Sequence, residues 1–244
     1  MTTEKRIALV TGGNKGIGFE ICRNLAGAGC TVLLGARDAE RGQQAVRRLG
    51  QEGIEDVQFM EIDVTKQESV TAAARQIESR FGRLDILMNN AGVNLRGDGL
   101  PGAADVEVVE KIFGTNFFGA LRVAQAMLPL LRRSAAGRIV NVSSGLGSLA
   151  FNSDPSSQSY DVKYIGYNAS KAALNMLTVH LAYELRETKI KVNSANPGFT
   201  KTDLNDNRGT QPVEVGAIAA TRLALVDEDG PTGQSFSKDG PNPW

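Results

Sequence analysis

The sequence predicts an α/β fold in which a doubly wound parallel sheet carries helices on both faces, and it predicts that all 244 residues form a single domain. Two observations support this prediction. Short apolar runs alternate with longer stretches of mixed polar and apolar residues, which is the pattern of strands and helices in a parallel sheet. A hydrophobic content of 41% in a chain of this length is enough for a substantial core.

The short apolar runs are the predicted strands. They comprise residues 6–10, 31–34, 57–62, 84–88, 138–142, 189–193 and 233–236. The runs at 84–88 and 138–142 are almost wholly apolar, so we expect them at the centre of the sheet. Residues 94–104 and 149–163 interrupt the alternation, and loops of that length in a compact domain are usually functional or disordered.

A glycine-rich turn follows the first strand and leads into a helical pattern over residues 19–28. It reads Thr-Gly-Gly-Asn-Lys-Gly-Ile-Gly. A strand, such a turn and a helix present free N–H groups and a positive helix end to an anion, usually a pyrophosphate. The absence of Gly-Lys-Ser/Thr argues against a nucleoside-triphosphate loop. The predicted cofactor-binding residues of this turn are Gly12, Asn14, Lys15, Gly16, Ile17 and Gly18.

The end of the second strand indicates which dinucleotide binds. An NAD enzyme usually has an acidic residue there, whereas a nearby arginine accommodates the 2′-phosphate of NADP. This chain has Ala36 followed by Arg37, and Lys15 lies in the glycine turn. We therefore predict that Arg37 and Lys15 hold the 2′-phosphate of NADPH, and that Asp38 is the N-cap of a helix over residues 39–50. The alternative is that both cations are solvated surface charges.

Tyr167 and Lys171 stand four residues apart, so they share one face if their segment is helical. A positive charge beside a phenol favours its ionised form, and the lysine is therefore expected to lower the pKa of Tyr167 towards the range of a general acid or base. The alternative is an ordinary amphipathic helix in which the two residues are neighbours by chance.

The glycine turn and the Tyr167/Lys171 pair together resemble the short-chain dehydrogenase/reductase family, and the resemblance extends over nearly the whole chain. Its other landmarks, in family order, are Asp63-Val64, Asn89-Asn90-Ala91-Gly92, Asn116, Asn141-Val142-Ser143-Ser144 and Asn196-Pro197-Gly198. The sequences of the glycine turn and of Gly35-Ala36-Arg37-Asp38 are most similar to those of the carbonyl-reductase branch. The resemblance implies a Rossmann fold that binds NADPH/NADP⁺.

The resemblance also implies how the cofactor is held. Asp63 would bind the adenine beside the backbone of Val64, although Asp63 could equally be a helix N-cap. The other implied cofactor contacts come from Asn90, Ala91, Gly92, Pro197, Gly198, Thr200 and Thr202, together with Tyr167 and Lys171. The segment around Asn90 could instead be a structural turn that joins the central strands.

The catalytic residues implied by the resemblance are Asn116, Ser144, Tyr167 and Lys171. Tyr167 would supply the proton to the substrate oxygen, and Ser144 would bind the same oxygen while Ser143 serves the turn. Lys171 would hold the nicotinamide ribose and favour the tyrosinate. Asn116 would anchor a water that connects Lys171 to bulk solvent, or it could simply mark a kink in a long helix.

Ser144 and Tyr167 are 23 positions apart, which is more than in many members of the family. The excess is the substrate-loop insertion, residues 149–163. In carbonyl-reductase-like members, insertions at this place roof the substrate pocket and cover a helix surface that others use for dimerisation. The resemblance therefore leaves both a monomer and a homo-oligomer open.

Charge and composition argue against several partners. Lys plus Arg equals Asp plus Glu at 27 each, so no overall field favours nucleic acid or an anionic membrane. The start Met1–Arg6 has no apolar leader, and no apolar run approaches the roughly 20 residues of a bilayer span, so a cytoplasmic location is expected. Cys22 and Cys30 lack metal or redox spacing and are expected to be structural thiols, and no metal site is expected.

The combined prediction is an NADPH-dependent reductase of aldehyde or ketone carbonyls, with a small-molecule substrate. Two alternatives remain. One is an NAD-linked alcohol or hydroxysteroid dehydrogenase, and the other is a protein that senses the nucleotide without turnover. The loops that would line the substrate pocket do not reveal the substrate itself.

Overall fold

A computed structural model gives the structure of residues 5–244. Most of the N-terminal segment that was expected to lack a leader, Met1 to Glu4, lies outside the described residues. Among the described residues, no helix is both long enough and apolar enough to cross a bilayer.

Within residues 5–244, eight strands form one sheet. They are β1 (Ile7–Thr11), β2 (Thr31–Ala36), β3 (Val57–Glu61), β4 (Ile86–Asn89), β5 (Arg138–Val142), β6 (Lys191–Ala195), β7 (Ser235–Ser237) and β8 (Gly240–Asn242). Their order is β3-β2-β1-β4-β5-β6-β7-β8, and every pairing is parallel except that of β7 with β8. The predicted doubly wound parallel sheet is confirmed.

The helices of the described chain connect these strands across both faces of the sheet. They are α1 (Gly16–Gly27), α2 (Ala39–Gln51), α3 (Gln67–Phe81), α4 (Val106–Phe113), α5 (Ala120–Leu131), α6 (Leu149–Ser153), α7 (Ile165–Glu184), α8 (Val213–Gly216) and α9 (Ile218–Ala224). A π-helical segment, Gly114–Gly119, joins α4 to α5. It contains Asn116, which the sequence placed within a long helix.

The two faces of the sheet carry separate apolar cores because side chains alternate along each strand. In β1, Ile7 and Leu9 join the core beneath α3, α5 and α7, whereas Ala8 and Val10 join the core beneath α1, α2 and α9. A single sheet with a core on each face supports the prediction of one domain, which stays a prediction.

The predicted strands are present, but several extend further than expected at their carboxyl ends. β1 includes Thr11, β4 includes Asn89, and β6 reaches Ala195. The polar residues at two of these ends, Thr11 and Asn89, are buried and hydrogen-bonded to neighbouring strands. Asn89, for example, donates to Asn141 Oδ1 at 2.9 Å. The antiparallel strand β8 was not predicted, because its sequence Gly-Pro-Asn reads as a turn.

The order of the strands determines where a ligand can bind. The chain moves outward from β1 to β2 and β3, and then returns to place β4 on the other side of β1. In open α/β sheets, ligands bind at the carboxyl ends of the strands where the order reverses in this way. The glycine turn after β1 and the segment 90–92 after β4 meet at this point.

Candidate active site

The glycine turn has a backbone that only glycine accommodates easily. Gly12 and Gly16 have positive φ angles, +65° and +56°. A Cβ on Gly18 would collide with the carbonyl oxygen of Gly12 and with the side-chain amide of Asn90. The turn therefore packs tightly against the segment after β4 and leads directly into the N-terminus of α1.

Asn90 fixes the glycine turn in place. Its Nδ2 donates to the carbonyl oxygens of Thr11 and Gly12 at 2.9 and 3.1 Å. Thr11 Oγ1 in turn accepts from the backbone N–H groups of Asn90 and Ala91. The side chain of Asn90 thus has the structural role that the sequence left open. Contact of Asn90, Ala91 and Gly92 with a cofactor stays a prediction.

The two predicted phosphate-binding cations, Lys15 and Arg37, are both exposed. Lys15 lines a surface cavity of about 420 Å³ together with Arg41 and Arg48, and Arg37 is not part of its wall. Arg37 is exposed at the end of β2, where its charge acts on Asp63. Lys15 Nζ is 2.7 Å from a carboxylate oxygen of Asp203, and both side chains are more than half exposed.

Asp38 has the predicted role of N-cap, because its carboxylate accepts from the backbone N–H of Arg41 at 3.0 Å. Arg41 itself was missed by the sequence reasoning. It lies one turn after Arg37, in the first turn of α2, and it faces the cavity that contains Lys15. Its position in the first turn of the predicted helix over residues 39–50, three residues after the N-cap Asp38, was the signal that could have identified it.

Asp63 is not the N-cap of α3, since that helix starts at Gln67 with Lys66 at the N-cap. The cap alternative is therefore wrong. Its Oδ1 accepts from the backbone N–H and the hydroxyl of Thr65. Burial alone would raise the pKa of Asp63, but the Thr65 hydrogen bonds and the charges of Lys66 and Arg37 outweigh it and lower the pKa. Asp63 is thus an ionised acceptor just after β3, at the edge of the sheet.

Tyr167 lies in the first turn of α7, and its phenol is near enough to the hydroxyl of Ser144 for that hydroxyl to act on the pKa of the phenol. Lys171 Nζ lies 5.7 Å from the centre of the Tyr167 ring. The predicted helical pair is therefore present, and it is joined to the serine that follows β5.

The expected pKa of Tyr167 is corrected by the structure. Burial raises the pKa of the phenol to about 12, and the hydrogen bond from Ser144 lowers it only in part. Lys171 does not bring the phenol into the working range, because burial dominates and also lowers the pKa of Lys171 to about 8. Tyr167 is thus a fully protonated donor at neutral pH.

Lys171 is buried at the level of β5. Its Nζ donates to the carbonyl oxygen of Val142 at 2.8 Å, and only 4% of the residue is exposed. A Cβ on Gly147 would lie 2.7 Å from the Lys171 backbone, so this glycine permits α7 to pack closely there. Ser143 Oγ donates to the Lys171 carbonyl oxygen at 3.3 Å. Ser143 therefore serves the packing of α7, as expected.

The side chain of Asn116 is held by protein partners. Its Oδ1 accepts from the backbone N–H of Val93 at 2.8 Å, and its Nδ2 donates to the Val93 carbonyl and to Ser170 Oγ, both at 3.0 Å. The π-helical segment turns this buried amide towards β4 and α7. Asn116 thus joins the segment after β4 to the helix of Tyr167.

The loop after β6 is held by its own threonine. Thr200 is 3% exposed, donates to the Pro197 carbonyl oxygen at 3.0 Å, and accepts from Gln211 Nε2 at 3.1 Å. Its hydroxyl is therefore turned into the loop, unlike the expected contact with a carboxamide. Thr202 approaches the glycine turn instead: its Cγ2 is 3.5 Å from where a Cβ on Gly16 would be.

The insertion at residues 149–163 contains the short helix α6 and a series of turns. Asn152 connects it to the site: its Nδ2 donates to the carbonyls of Leu146 and Ser148, and its Oδ1 accepts from Asn168 Nδ2 at 3.0 Å. Lys163 Nζ donates to the Asn152 carbonyl at 2.7 Å. The insertion is therefore anchored beside Tyr167.

The insertion does not cover the outer face of α7 as the resemblance implied. Met176, Val179 and Tyr183 are 56%, 37% and 68% exposed. His180 is exposed on the same face. The bonds from the insertion reach α7 at Asn168, near its N-terminus.

Comparison with known protein families shows which family the chain belongs to. A family model described as short chain dehydrogenase matches residues 6–212, most of the chain. The chain belongs to the short-chain dehydrogenase family.

Three members of the family illustrate the likeness. A (+)-neomenthol dehydrogenase from Capsicum annuum is 32% identical, and the match covers 96% of both chains. The structure of salutaridine reductase from Papaver somniferum is 31% identical, has a TM-score of 0.83 and covers 95% of this chain and 99% of that chain. The structure of an NADPH-bound carbonyl reductase from chicken fatty liver is 26% identical, with a TM-score of 0.83 over 99% and 100% of the two chains.

Proposed function

We propose that this short-chain dehydrogenase reduces a ketone or aldehyde carbonyl with NADPH, and that Tyr167 is the general acid. The observation that carries the proposal is the group formed by Tyr167, Ser144 and Lys171 at the switch point of the sheet. The hydroxyl of Ser144 acts on the Tyr167 phenol, and the buried Lys171 ammonium lies 5.7 Å from the centre of the phenol ring. The relatives act in the same chemical class, since their names include a carbonyl reductase and a salutaridine reductase.

The residues at the switch point fit a dinucleotide. Gly12 and Gly16 have positive φ angles and no side chains, so a ligand can approach the backbone of the turn. The N-terminus of α1 favours a pyrophosphate. Gly92 places no side chain beside Lys171 Nζ, which is 3.5 Å from where a Cβ would be. The reduced nicotinamide, when bound, supplies a hydride to the substrate carbon.

Cofactor preference is assigned to three cations. Arg37 at the end of β2, Arg41 in the first turn of α2 and Lys15 in the glycine turn would share the 2′-phosphate, because two arginines and a lysine suit a phosphate dianion. Ala36 leaves no acidic side chain at the position that NAD enzymes usually use. Lys15 must leave its ion pair with Asp203 to take part.

The proton reaches the substrate oxygen from Tyr167. A phenol with a pKa of about 12 is protonated throughout the neutral range, so it is ready to donate. Ser144 would hydrogen-bond the oxygen as negative charge gathers there. The ammonium of Lys171 would then stabilise the tyrosinate. Asn116 would hold Val93 and Ser170 in position and anchor a water that connects Lys171 to bulk solvent.

The proposal is tested with purified protein and a panel of carbonyl compounds. Menthone, salutaridine and a simple aromatic aldehyde are each supplied with NADPH or NADH, and loss of reduced-cofactor absorbance is followed. We expect turnover of at least one carbonyl with NADPH and much weaker use of NADH. Turnover with NADH alone would favour the NAD-linked alternative, and cofactor binding without turnover of any carbonyl would favour the nucleotide sensor.

A further inference from the structure

The helix that carries Tyr167 and Lys171 begins without a cap of its own. The N-cap position of α7 is Tyr164, which makes no side-chain hydrogen bond, and the first turn has no acidic residue. The first backbone N–H groups of a helix have no partner within it, and they need one when buried. In α7 these are the N–H groups of Ile165, Gly166 and Tyr167.

Those N–H groups are bound by a loop almost 70 positions earlier in the chain. Asp98 Oδ1 accepts from the backbone N–H of Gly166, and Oδ2 accepts from the backbone N–H of Tyr167, both at 2.8 Å. The carbonyl oxygen of the adjacent Gly99 accepts from Ile165 at 2.9 Å. One carboxylate and one carbonyl therefore satisfy the whole first turn of α7.

The carboxylate of Asp98 is itself held in position. Its Oδ1 also accepts from the backbone N–H of Gly99 at 2.9 Å. A Cβ on Gly166 would lie 3.2 Å from Asp98 Cγ and 3.1 Å from Ile112, so the absence of a side chain there permits the close approach. These contacts thus fix the distance between the Asp98 carboxylate and the first turn of α7.

We infer that Asp98 is a positioning residue for the proton donor, and this inference rests on the proposed role of Tyr167. Asp98 binds the backbone of the residue whose phenol would donate the proton. A shift of this turn moves the phenol relative to Ser144, which is held by the other wall of the site. Displacements of about 1 Å at a reacting group can reduce turnover about 100-fold.

The first test compares Asp98→Ala with Asp105→Ala. Asp105 is a matched control because it caps the neighbouring helix α4, accepting from the backbone N–H of Glu107 at 2.9 Å. Both variants should lose similar thermal stability. Only Asp98→Ala should lower kcat, by about 10- to 100-fold, with the Kd for NADPH within about twofold of wild type. Asp98→Asn, which keeps one acceptor oxygen, should recover part of the kcat.

The second test is a double-mutant cycle with Tyr167→Phe, measured at high enzyme concentration. If Asp98 acts through Tyr167, Asp98→Ala should have little further effect once the phenol is absent. The inference would be overturned if the kcat loss of the double variant were the product of the two single losses. A loss confined to KM, or equal kcat values for Asp98→Ala and Asp105→Ala, would also overturn it. Failure of the proposed function is distinguishable, since it would appear as unchanged turnover in Tyr167→Phe alone.

Discussion

Lys171 Nζ lies 2.8 Å from the carbonyl oxygen of Val142, and this hydrogen bond holds a buried ammonium that has no carboxylate partner within residues 5–244. The neutral carbonyl compensates only part of the lost hydration, so burial lowers the pKa of Lys171 from 10.5 to about 8. Lys171, which the proposed mechanism would use to stabilise a tyrosinate, therefore reduces the stability of the fold.

Comparing wild type with Lys171→Met in the cofactor-free protein should measure how much the buried ammonium lowers the free energy of unfolding. Below about pH 8 the folded protein carries a buried charge that the unfolded chain hydrates better, a difference of about 3 kcal/mol. As the pH rises from about 8 to about 10.5, the unfolded lysine binds more protons than the folded one, so wild-type stability rises. The stability difference between wild type and Lys171→Met should shrink over this range.

Denaturant unfolding at several pH values measures this trend, and Lys201→Met serves as the control because Lys201 is exposed. Wild type should gain about 2 to 3 kcal/mol relative to Lys171→Met between neutral pH and pH 10. A constant difference across the range would show that the ammonium is not destabilised by burial.

Removal of the Tyr167 hydroxyl should abolish proton donation while leaving the ring in place. Tyr167→Phe should lower kcat by about 10²- to 10⁴-fold, the typical contribution of general acid–base catalysis, with the Kd for NADPH nearly unchanged. Tyr183→Phe is the control, because Tyr183 is on the same helix and 68% exposed. Near-native turnover in Tyr167→Phe would exclude the proposed mechanism.

The fold was predictable because its strands are short apolar runs, and the glycine turn marks the switch point. The ends of the strands were not, since Thr11 and Asn89 look like loop residues but are buried and hydrogen-bonded between strands. A local sequence pattern indicates which apolar residues are buried. It does not indicate which distant residue a buried polar side chain will hydrogen-bond.

The chemistry of the site was predictable only at the level of residue identity. The sequence names Tyr167, Ser144 and Lys171, but burial sets the pKa values of Tyr167 and Lys171, and burial depends on the packing of α7 against β5 and the segment that follows it. The contact from Asp98 to Tyr167 spans 69 positions, so no periodicity within either segment could indicate it.

The cations near the adenosine site should discriminate between the two cofactors. Arg37→Ala and Arg41→Ala should each raise the KM for NADPH about 10-fold or more and leave the KM for NADH nearly unchanged, because only NADPH carries the 2′-phosphate. Arg47→Ala is the control, since Arg47 is exposed on α2 outside the cavity that Lys15 lines. Steady-state kinetics with both cofactors measures the effect. Equal losses with NADPH and NADH would assign these arginines a structural role.

The insertion should act on the substrate through Asn152. This side chain makes hydrogen bonds with Leu146, Ser148 and Asn168, and so ties α6 to the wall that carries Ser144 and to the helix that carries Tyr167. Each such bond contributes about 1 kcal/mol, so Asn152→Ala should loosen the insertion without unfolding the core. Closed lids grip the substrate and exclude water.

We therefore expect Asn152→Ala to raise the KM for the carbonyl substrate about 3- to 10-fold, while the Kd for NADPH stays within about twofold, because loosening the insertion weakens substrate binding by about the energy of one hydrogen bond. Ser156→Ala is the control, since Ser156 lies in the same insertion and bonds only within it, to Asp154. The mass of both variants in solution should equal that of wild type, because the exposed face of α7 at Met176 and Tyr183 is already uncovered. Identical substrate kinetics for the two variants would make the insertion a passive surface loop.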